Sequence, residues 1–389
     1  MSTKNLDNVE FNNFFSRILL KNNYRYQFTI PIDKSPGLMN LLKFVENRVM
    51  NIDLSGIPVD RPIFIISLPR TGSTMLQNII CAHEQVGYFS HTMNNYYPYF
   101  APVDWLREKL DLNLKGERFI GDSIMVDTTS ASDPIHIWNS WIRKDPFVAK
   151  HVLYRKEDLS QEQIDEIYTS IKKALWCQKG GKNRFLIKSP GMLAYLPLVN
   201  DLFPDAKYIH LVRDPRHCAN SLIKLTKKSI AQIELISKEI KNYKHAGKTP
   251  VSYPHVPKLP EYMEQFGVDN IKTAANVVED SINMVNDYRD NLANFHEVRY
   301  EDILQNPSQK LEELLNFCDL ELPDKSNQAF WDQMNNVGTV KHKNNYTDYE
   351  IVESICSGSM AKYGYEKENA PADSKTEPAQ QPAQQEETA

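Results

Sequence analysis

The sequence lacks the features that mark several large classes of protein. No apolar run approaches the ~18 to 20 residues of a membrane-spanning helix, and the first residues show no basic segment followed by an apolar stretch. The five cysteines are odd in number and scattered without CxxC or Cys/His spacing, which argues against a disulfide framework or a zinc site. The formal net charge of -5 gives no general attraction to nucleic acid or anionic lipid. We therefore expect a cytoplasmic protein without a transmembrane segment or nucleic-acid partner, in which any anion site is local.

Short apolar runs that lead into helical patterns predict the fold class. Such runs occupy residues 63–66, 185–187 and 208–212, and residues 296–300 have the pattern of a further strand. Buried strands that alternate with helices indicate a parallel sheet covered on both faces. The predicted class is therefore α/β.

The ends of the chain differ in composition from this central part. Residues 1–60 contain two helical patterns, near 9–20 and 38–51, and are interpreted as a helical N-terminal cap on a main domain over 61–365. Residues 366–389 consist mainly of Glu, Pro, Gln, Ala and Thr, which bury too little apolar surface to offset the entropy of ordering. We predict that this tail is disordered.

A Lys-rich segment with four prolines interrupts the main domain at 224–272. Its composition predicts a helix and a mobile stretch inserted into the sheet topology. An insertion of this kind can act as a lid over a ligand site. The helix after the last predicted strand, with Asn306 as its N-cap and Pro307 in its first turn, is interpreted as structural packing.

The segment 69–74, Pro-Arg-Thr-Gly-Ser-Thr, lies between the first apolar run and a helix. A loop in this position presents backbone N–H groups and the positive end of the helix dipole, so it favours an anion. Arg70 adds a planar cation and Gly72 permits close approach of the backbone. Hydroxyl donors come from Thr71, Ser73 and Thr74. The alternative interpretation is a plain turn with hydroxyl N-caps.

A second basic position lies at the end of another predicted strand. Arg213 follows residues 208–212, at the edge where open α/β sheets bind ligands, and Ser221 lies about two turns into the next helix. Together these side chains can hold a second phosphate. Taken singly, Arg213 is equally explained as an ion-pairing residue and Ser221 as a packing residue.

An ordinary nucleotide kinase or NTPase is the competing enzyme class. A Walker A loop requires Lys before its terminal Ser or Thr, whereas Ser73 precedes Thr74 here. The strand that ends at Arg213 also offers no magnesium-binding carboxylate, because Asp214 and Pro215 form an N-cap and first-turn pair. Both features argue against this alternative.

Several segments, in order, resemble the sulfotransferase superfamily, and more closely its bacterial, carbohydrate and tyrosyl-protein-type branch with a Pro-Arg-x-Gly-Ser-Thr loop. The strongest are IFIISLPRTGSTMLQNII at 63–80 and YIHLVRDPRHCANSL at 208–222. Weaker similarity covers 185–215 and 297–320, so that the resemblance extends over roughly 61–345. It implies a P-loop-like fold without ATPase chemistry, and 3′-phosphoadenosine 5′-phosphosulfate as the sulfuryl donor.

The resemblance also implies roles for individual residues. The 5′-phosphosulfate is expected to contact Arg70, Thr71, Gly72, Ser73, Thr74 and Met75. Arg213 and Ser221 are expected to hold the 3′-phosphate, and Lys341, in the run Lys341-His342-Lys343, to add a basic contact. The alternative for that run is a solvated group of charges.

Transfer to an acceptor hydroxyl or amine is expected to proceed in line and without a metal, with Arg70 and Lys188 stabilising the charge that develops. Relatives with the motif Lys-Ser-Pro-x-His have a histidine as the expected base, whereas this chain has Met192 at that position. We predict His91 as the base and His136 as the next candidate. A nonenzymatic nucleotide binder that lacks a base remains a third interpretation.

The sequence leaves the acceptor open among small molecules, lipids and glycans with a hydroxyl. Aromatic residues crowd the segment after the loop and are predicted either to line an acceptor pocket or to pack in the core. They are Tyr88, Phe89, Tyr96, Tyr97, Tyr99, Phe100 and Trp105. A lining role favours an acceptor with an apolar or ring-bearing part over a long anionic glycan.

Overall fold

Strands and helices alternate through the computed structural model, which describes residues 9–25, 34–117, 124–145, 147–239, 241, 243, 245–249, 251–339 and 346–365. Its strands are β1 (Val9–Phe11), β2 (Ile63–Ser67), β3 (Val86–Tyr88), β4 (Leu114–Glu117), β5 (Met125–Asp127), β6 (Arg184–Lys188), β7 (Lys207–Val212) and β8 (Phe295–Arg299). Its α-helices are α1 (Phe14–Arg25), α2 (Pro36–Arg48), α3 (Ser73–Cys81), α4 (His91–Asn95), α5 (Ala101–Lys109), α6 (Ile135–Trp141), α7 (Gln161–Gln178), α8 (Leu196–Leu202), α9 (Pro215–Glu239), α10 (Leu259–Phe266), α11 (Ile271–Tyr288), α12 (Tyr300–Gln305), α13 (Pro307–Phe317), α14 (Gln328–Asn335), α15 (Tyr349–Ile355) and α16 (Ser357–Lys362). Short 3₁₀-helices lie at Lys156–Asp158, Pro190–Tyr195 and Arg289–Asn291.

Five strands form a parallel sheet in the order β3-β6-β2-β7-β8, which confirms the predicted α/β class. All residues of β2 and β6 are buried, as expected for strands covered by helices on both faces. In register, Ile65 of β2 pairs with Lys188 of β6 on one side and with Ile209 of β7 on the other. The loops after β2, β6 and β7 therefore meet at one edge of the sheet.

The four strands predicted from the sequence are β2, β6, β7 and β8, and each lies within one residue of its predicted bounds. The helix α13 begins at Pro307, as predicted, and its buried face includes Leu311, Leu314 and Leu315. The short strand β3 was not predicted. It has only three residues, and its pairing with β6 rather than a local pattern defines it.

The N-terminal region combines two helices with a strand. The helix predicted near 9–20 begins at Phe14, because residues Val9–Phe11 form β1 instead. This strand pairs antiparallel with β4, and β4 pairs with β5, in a second sheet of three strands. Leu20 of α1 packs beneath this sheet against Leu114. The prediction of a wholly helical cap was therefore incomplete.

A buried ion pair joins the N-terminal helix α2 to the rest of the structure. The Lys173 ammonium of α7 donates to Glu46 of α2 at 2.5 Å and to the Pro98 carbonyl at 2.7 Å. The other Glu46 oxygen accepts from the Ala101 N–H at 3.1 Å, at the start of α5. Both charges are compensated by these bonds, which buried ions require. The helix α2 is thereby fixed against α5 and α7.

The described residues of the segment 224–272 contain two helices and the start of a third, whereas the composition predicted one helix and a mobile stretch. Its first part continues α9 without a break, and α10 and the beginning of α11 form its end. Between them, residues 251–256 are mostly buried, and residues 251–255 line the cavity described below. The predicted tail at 366–389 lies outside the described residues. Among the helices of the described ranges, none is long and apolar enough to cross a membrane.

Candidate active site

The loop between β2 and α3 contains two residues with left-handed backbone. Arg70 has φ +73°, a conformation that non-glycine residues rarely adopt, and Gly72 has φ +90°. The Thr71 hydroxyl donates to the Leu68 carbonyl at 2.9 Å and holds the turn. Left-handed backbone at a non-glycine residue clusters at functional sites. The loop therefore has the conformation expected of a binding loop rather than of a plain turn.

Gly72 is in contact with Tyr300, the first residue of α12, immediately after β8. A Cβ built on Gly72 would lie 2.3 Å from Cε2 of the Tyr300 ring. No side chain fits at this distance without displacement of the ring or of the loop. The absence of a Cβ at position 72 therefore permits both the left-handed φ and the close packing of α12 against the loop.

The two predicted anion sites share one hydrogen-bonded network. Arg70 Nε donates to the Ser221 hydroxyl at 2.9 Å, and Arg213 Nη1 donates to the Arg70 carbonyl at 2.9 Å. The Arg213 guanidinium also lies 4.6 Å from the centre of the Tyr300 ring. Arg213 Nε is buried and has no hydrogen-bond partner among the described residues. Arg213 does not line the cavity described below.

Asp214 has a structural role, as its N-cap assignment predicted. Its carboxylate accepts from the Arg216 backbone N–H at 2.9 Å and forms a bidentate pair with the Arg216 guanidinium. Arg216 in turn donates to Glu353 of α15 at 3.0 Å. These bonds fix the turn from β7 into α9 and hence the positions of Arg213 and Ser221.

Lys188 lies at the end of β6, on the other side of the loop. Its side chain is 5% exposed and its ammonium lies 3.4 Å from Asp133 Oδ2. Two buried oxygens nearby, Asp133 Oδ1 and the hydroxyl of Ser189, have no hydrogen-bond partner among the described residues. Unsatisfied buried polar atoms are unfavourable unless a ligand or water completes them. The strand end is therefore suited to a polar ligand.

A cavity brings five of the predicted site residues together, whereas Arg213 and Ser221 are not among the residues that line it. It encloses about 1440 Å³ of empty space, part of it open to solvent, and Arg70, Ser73, Thr74, His91 and Lys188 line it. The loop cation and the two other proposed catalytic side chains, His91 and Lys188, therefore face one cavity.

Both histidines considered as bases line this cavity. Burial, and then the charge of Lys34, lower the pKa of His136 to about 4. An imidazole with so low a pKa is a weak proton acceptor at neutral pH. His91 opens α4, where its backbone N–H donates to the Ser130 carbonyl at 3.2 Å.

Other predicted residues have different surroundings. The Met75 backbone N–H donates to the Gly72 carbonyl at 2.9 Å within the first turn of α3, and its side chain packs against the core. Met192, at the position where relatives have histidine, is 1% exposed and belongs to the main core. Lys341 lies outside the described residues. It remains a prediction.

None of the seven aromatic residues that follow the loop lines this cavity, so the structure favours the core-packing alternative for most of them. Phe89 and Phe100 are core residues, and their rings are 6.4 Å apart. Trp105 is 48% exposed on α5. The apolar walls of the cavity come instead from Val126, Ile135, Phe147, Leu225, Val251 and Tyr253.

Sequence reasoning missed Tyr300 and Asp133 as site residues. Tyr300 was assigned to the end of a strand, and its position beside β7 at the edge that carries Arg213 was the signal that could have identified it. Asp133 lies in the loop before α6. Its contact with Lys188 joins residues 55 positions apart, which no local pattern reveals.

Residues 62–324, more than half of the chain, match the sequence profile of the Sulfotransferase family. Similar solved structures include the sulfotransferase STF9 from Mycobacterium avium, 14% identical over 79% of this chain and 78% of its own, with a TM-score of 0.49. The sulfotransferase STF1 from Mycobacterium tuberculosis H37Rv is 16% identical over 78% of each chain, with a TM-score of 0.45. Mouse sulfotransferase SULT7A1, complexed with PAP, is 12% identical over 85% of this chain and 84% of its own, with a TM-score of 0.33. No curated protein sequence matches this chain.

Proposed function

The chain belongs to the sulfotransferase family, and we propose that it transfers the sulfuryl group of 3′-phosphoadenosine 5′-phosphosulfate to an acceptor hydroxyl or amine. The observation that carries this proposal is the network of Arg70, Arg213 and Ser221 at one edge of the sheet. The donor carries phosphate groups at the 3′ and 5′ positions of its ribose, so it requires two cationic positions held at a fixed distance. Arg70 and Arg213 supply these positions, after the neighbouring strands β2 and β7 of the parallel sheet.

The loop between β2 and α3, called the donor loop here, and the turn from β7 into α9 each bind one phosphate-bearing part of the donor. We assign the 5′-phosphosulfate to the loop 70–74, where Arg70 and the N-terminus of α3 favour an anion. We assign the 3′-phosphate to Arg213 and Ser221, because both are hydrogen-bonded to Arg70 and so lie beside the loop that is assigned to the 5′-phosphosulfate. We propose that Lys341 adds a basic contact to the 3′-phosphate. Met75 is proposed as the last residue of the segment that contacts the 5′-phosphosulfate.

The reaction itself requires charge stabilisation and one proton acceptor. The bond from the acceptor oxygen to sulfur forms as the bond from sulfur to the phosphate oxygen breaks, and the bisphosphate leaves. Arg70 and Lys188 stabilise the charge on the transferring group and the leaving phosphate. The acceptor proton passes to His91. No step in this scheme uses a metal ion.

We propose His91 rather than His136 as the base, because the lowered pKa of His136 makes its imidazole a poor proton acceptor. His91→Gln is expected to lower kcat by about 10²-fold, within the range of general-base catalysis, with little change in donor affinity. His136→Gln is the matched control, since it removes the other imidazole of the same cavity, and should lower kcat by less than about threefold. The measurement is the rate of bisphosphate formation with a hydroxyl acceptor that the wild type uses. A larger loss in His136→Gln than in His91→Gln would reverse the assignment.

Calorimetric titration with adenosine 3′,5′-bisphosphate tests the donor class. We expect micromolar binding of the bisphosphate and much weaker binding of adenosine 5′-monophosphate or of ATP with magnesium. Arg213→Ala should weaken bisphosphate binding by about 1.5 to 3 kcal/mol, the range of a hydrogen bond to a charged group. Tighter binding of magnesium-ATP would instead indicate a kinase, and normal binding of the bisphosphate by Arg213→Ala would refute the second phosphate site.

The remaining features of the proposal concern the domain and its surroundings. Residues 61–365 form the sulfotransferase domain, residues 1–60 its cap, and 224–272 a segment that covers the acceptor end of the cavity, where Val251 to His255 already line the wall. All five cysteines are buried and free, in keeping with the reducing cytoplasm. The Pro-Arg-x-Gly-Ser-Thr loop supports the branch named above.

A further inference from the structure

Lys144 is a lysine in the wall of the cavity that the mechanism above does not use. It follows α6 in a turn closed by its own backbone N–H, which donates to the Asn139 carbonyl at 2.8 Å. Its side chain lines the cavity, and its Nζ lies 5.4 Å from the centre of the Tyr195 ring. Burial alone lowers the pKa of Lys144 to about 8, so most of the ammonium is still charged at pH 7.

This cation differs from Lys188 in its partners. Lys188 faces the carboxylate of Asp133, whereas no carboxylate of the described residues lies within 4.0 Å of the Lys144 ammonium. The neighbouring ionisable group is His255, whose pKa is lowered to about 3 by burial and then by the charge of Lys144. Lys144 is half-buried, and a half-buried cation without an opposite charge is unfavourable, so a ligand anion beside it would be stabilising.

Two hydrogen-bonding groups in the same wall lack partners as well. The Ser252 hydroxyl and Asn139 Oδ1 are buried, line the cavity and have no hydrogen-bond partner among the described residues. The Ser252 hydroxyl can donate to an anionic oxygen beside the ammonium. Lys144 and Ser252 belong to segments far apart in sequence, and the fold places both in the lining of one cavity.

The helix that precedes Lys144 lies away from the proposed 3′-phosphate site. The helix α6 packs on α4 and α7, and α7 packs on β3, at one edge of the parallel sheet. Arg213, Ser221 and Tyr300 belong to β7, α9 and α12, towards the opposite edge. The apolar side chains of Phe147 and Val251 lie in the same cavity.

On the basis of the proposed function, we propose that the acceptor is amphipathic and carries an acidic group, which Lys144 binds with help from the Ser252 hydroxyl. The apolar walls receive the body of the acceptor, and its hydroxyl points to Lys188 and the donor loop. This restricts the acceptor class to molecules with a hydroxyl at one position and a carboxylate, phosphate or sulfate at another.

The test uses the full-length protein saturated with adenosine 3′,5′-bisphosphate and titrated with octanoate, octyl phosphate, octyl sulfate and neutral octanamide. We expect at least one acid to bind about tenfold or more tightly than octanamide, as a charge-assisted hydrogen bond provides. Lys144→Met should abolish this preference and leave octanamide and bisphosphate binding unchanged. Lys144→Arg, which retains the charge, and Lys258→Met, which removes an exposed lysine outside the cavity, should both retain it.

Equal binding of the acids and the amide by the wild type, no binding of any acid, or a preference that survives in Lys144→Met would overturn the inference. Each of these results is read only after bisphosphate binding has been measured. If the bisphosphate itself does not bind, the proposed function fails instead, and the two failures are therefore distinguishable. The acid that binds most tightly identifies the acidic group.

Discussion

Arg70→Ala is expected to lower kcat for sulfuryl transfer by about 10³-fold or more while the protein stays folded. Removal of one preorganised donor from a developing charge costs about 10² to 10³ in rate, and Arg70 contributes a full charge besides its hydrogen bonds. The fold loses little, because the described contacts of the side chain are polar and include one bond, to the Ser221 hydroxyl. Alanine at position 70 would adopt the same positive φ as arginine, so the free-energy cost of this backbone conformation is unchanged. The measurement is bisphosphate formation at saturating donor, together with thermal unfolding.

Arg70→Lys is the matched variant, since it keeps the charge and removes the planar fork. We expect its activity to lie between those of the wild type and Arg70→Ala. Turnover of Arg70→Ala within tenfold of the wild type would mean that the loop does not contact the transferring group. A large drop in melting temperature would show instead that Arg70 supports the fold, and the activity would then carry no information about catalysis.

The central sheet was predictable from the sequence because its strands are short, wholly apolar and bounded by turn residues. Residues 63–66 and 208–212 show this pattern, and both are strands whose burial on two faces requires it. The strands β1 and β3 were not predictable in this way. Each has three residues and is defined by pairing with a strand far away in sequence, so that local composition holds no signal for it.

The same distinction applies to the site. Arg70, Arg213 and Lys188 were predictable because each follows a recognisable strand, and parallel strands bring their ends to one edge. The contact of Arg70 with Ser221 was not predicted, since the two were assigned to different phosphates. The acceptor wall escaped prediction for a related reason. Lys144 stands in a turn between elements, and nothing near it in sequence shows that no carboxylate faces it.

The aromatic segment shows where composition misleads. A run rich in Tyr and Phe after a binding loop is compatible with a ligand pocket and with a core, because both environments favour large apolar rings. Phe89 packs edge-to-face on Phe185 of β6, with ring centres 5.0 Å apart, and thereby supports the sheet. Only the three-dimensional packing decides between these alternatives. The walls of the cavity come from other segments.

Gly72→Ala is expected to lower the free energy of unfolding by about 2 to 5 kcal/mol and to weaken binding of adenosine 3′,5′-bisphosphate by at least tenfold. The left-handed φ of +90° costs an alanine roughly 1 to 2 kcal/mol, and overpacking adds about 1 to 3 kcal/mol. The new Cβ would meet the Tyr300 ring, which contacts the Arg213 guanidinium, so the strain passes to the second phosphate site. Urea unfolding and calorimetric titration measure the two effects.

Gly37→Ala separates this effect from a general effect of replacing glycine. Gly37 lies in the first turn of α2, has no heavy atom within 4 Å of a built Cβ, and should gain up to about 1 kcal/mol of stability as alanine, without a change in bisphosphate affinity. The double variant Gly72→Ala/Tyr300→Ala removes the ring and leaves only the backbone cost, so its further loss of stability relative to Tyr300→Ala should fall to about 1 to 2 kcal/mol. If Gly72→Ala matched Gly37→Ala in stability and bound the bisphosphate normally, the contact between the loop and α12 would have no part in holding the donor. Arg213 would then act without the support of Tyr300, and the loop and the second phosphate site would be independent.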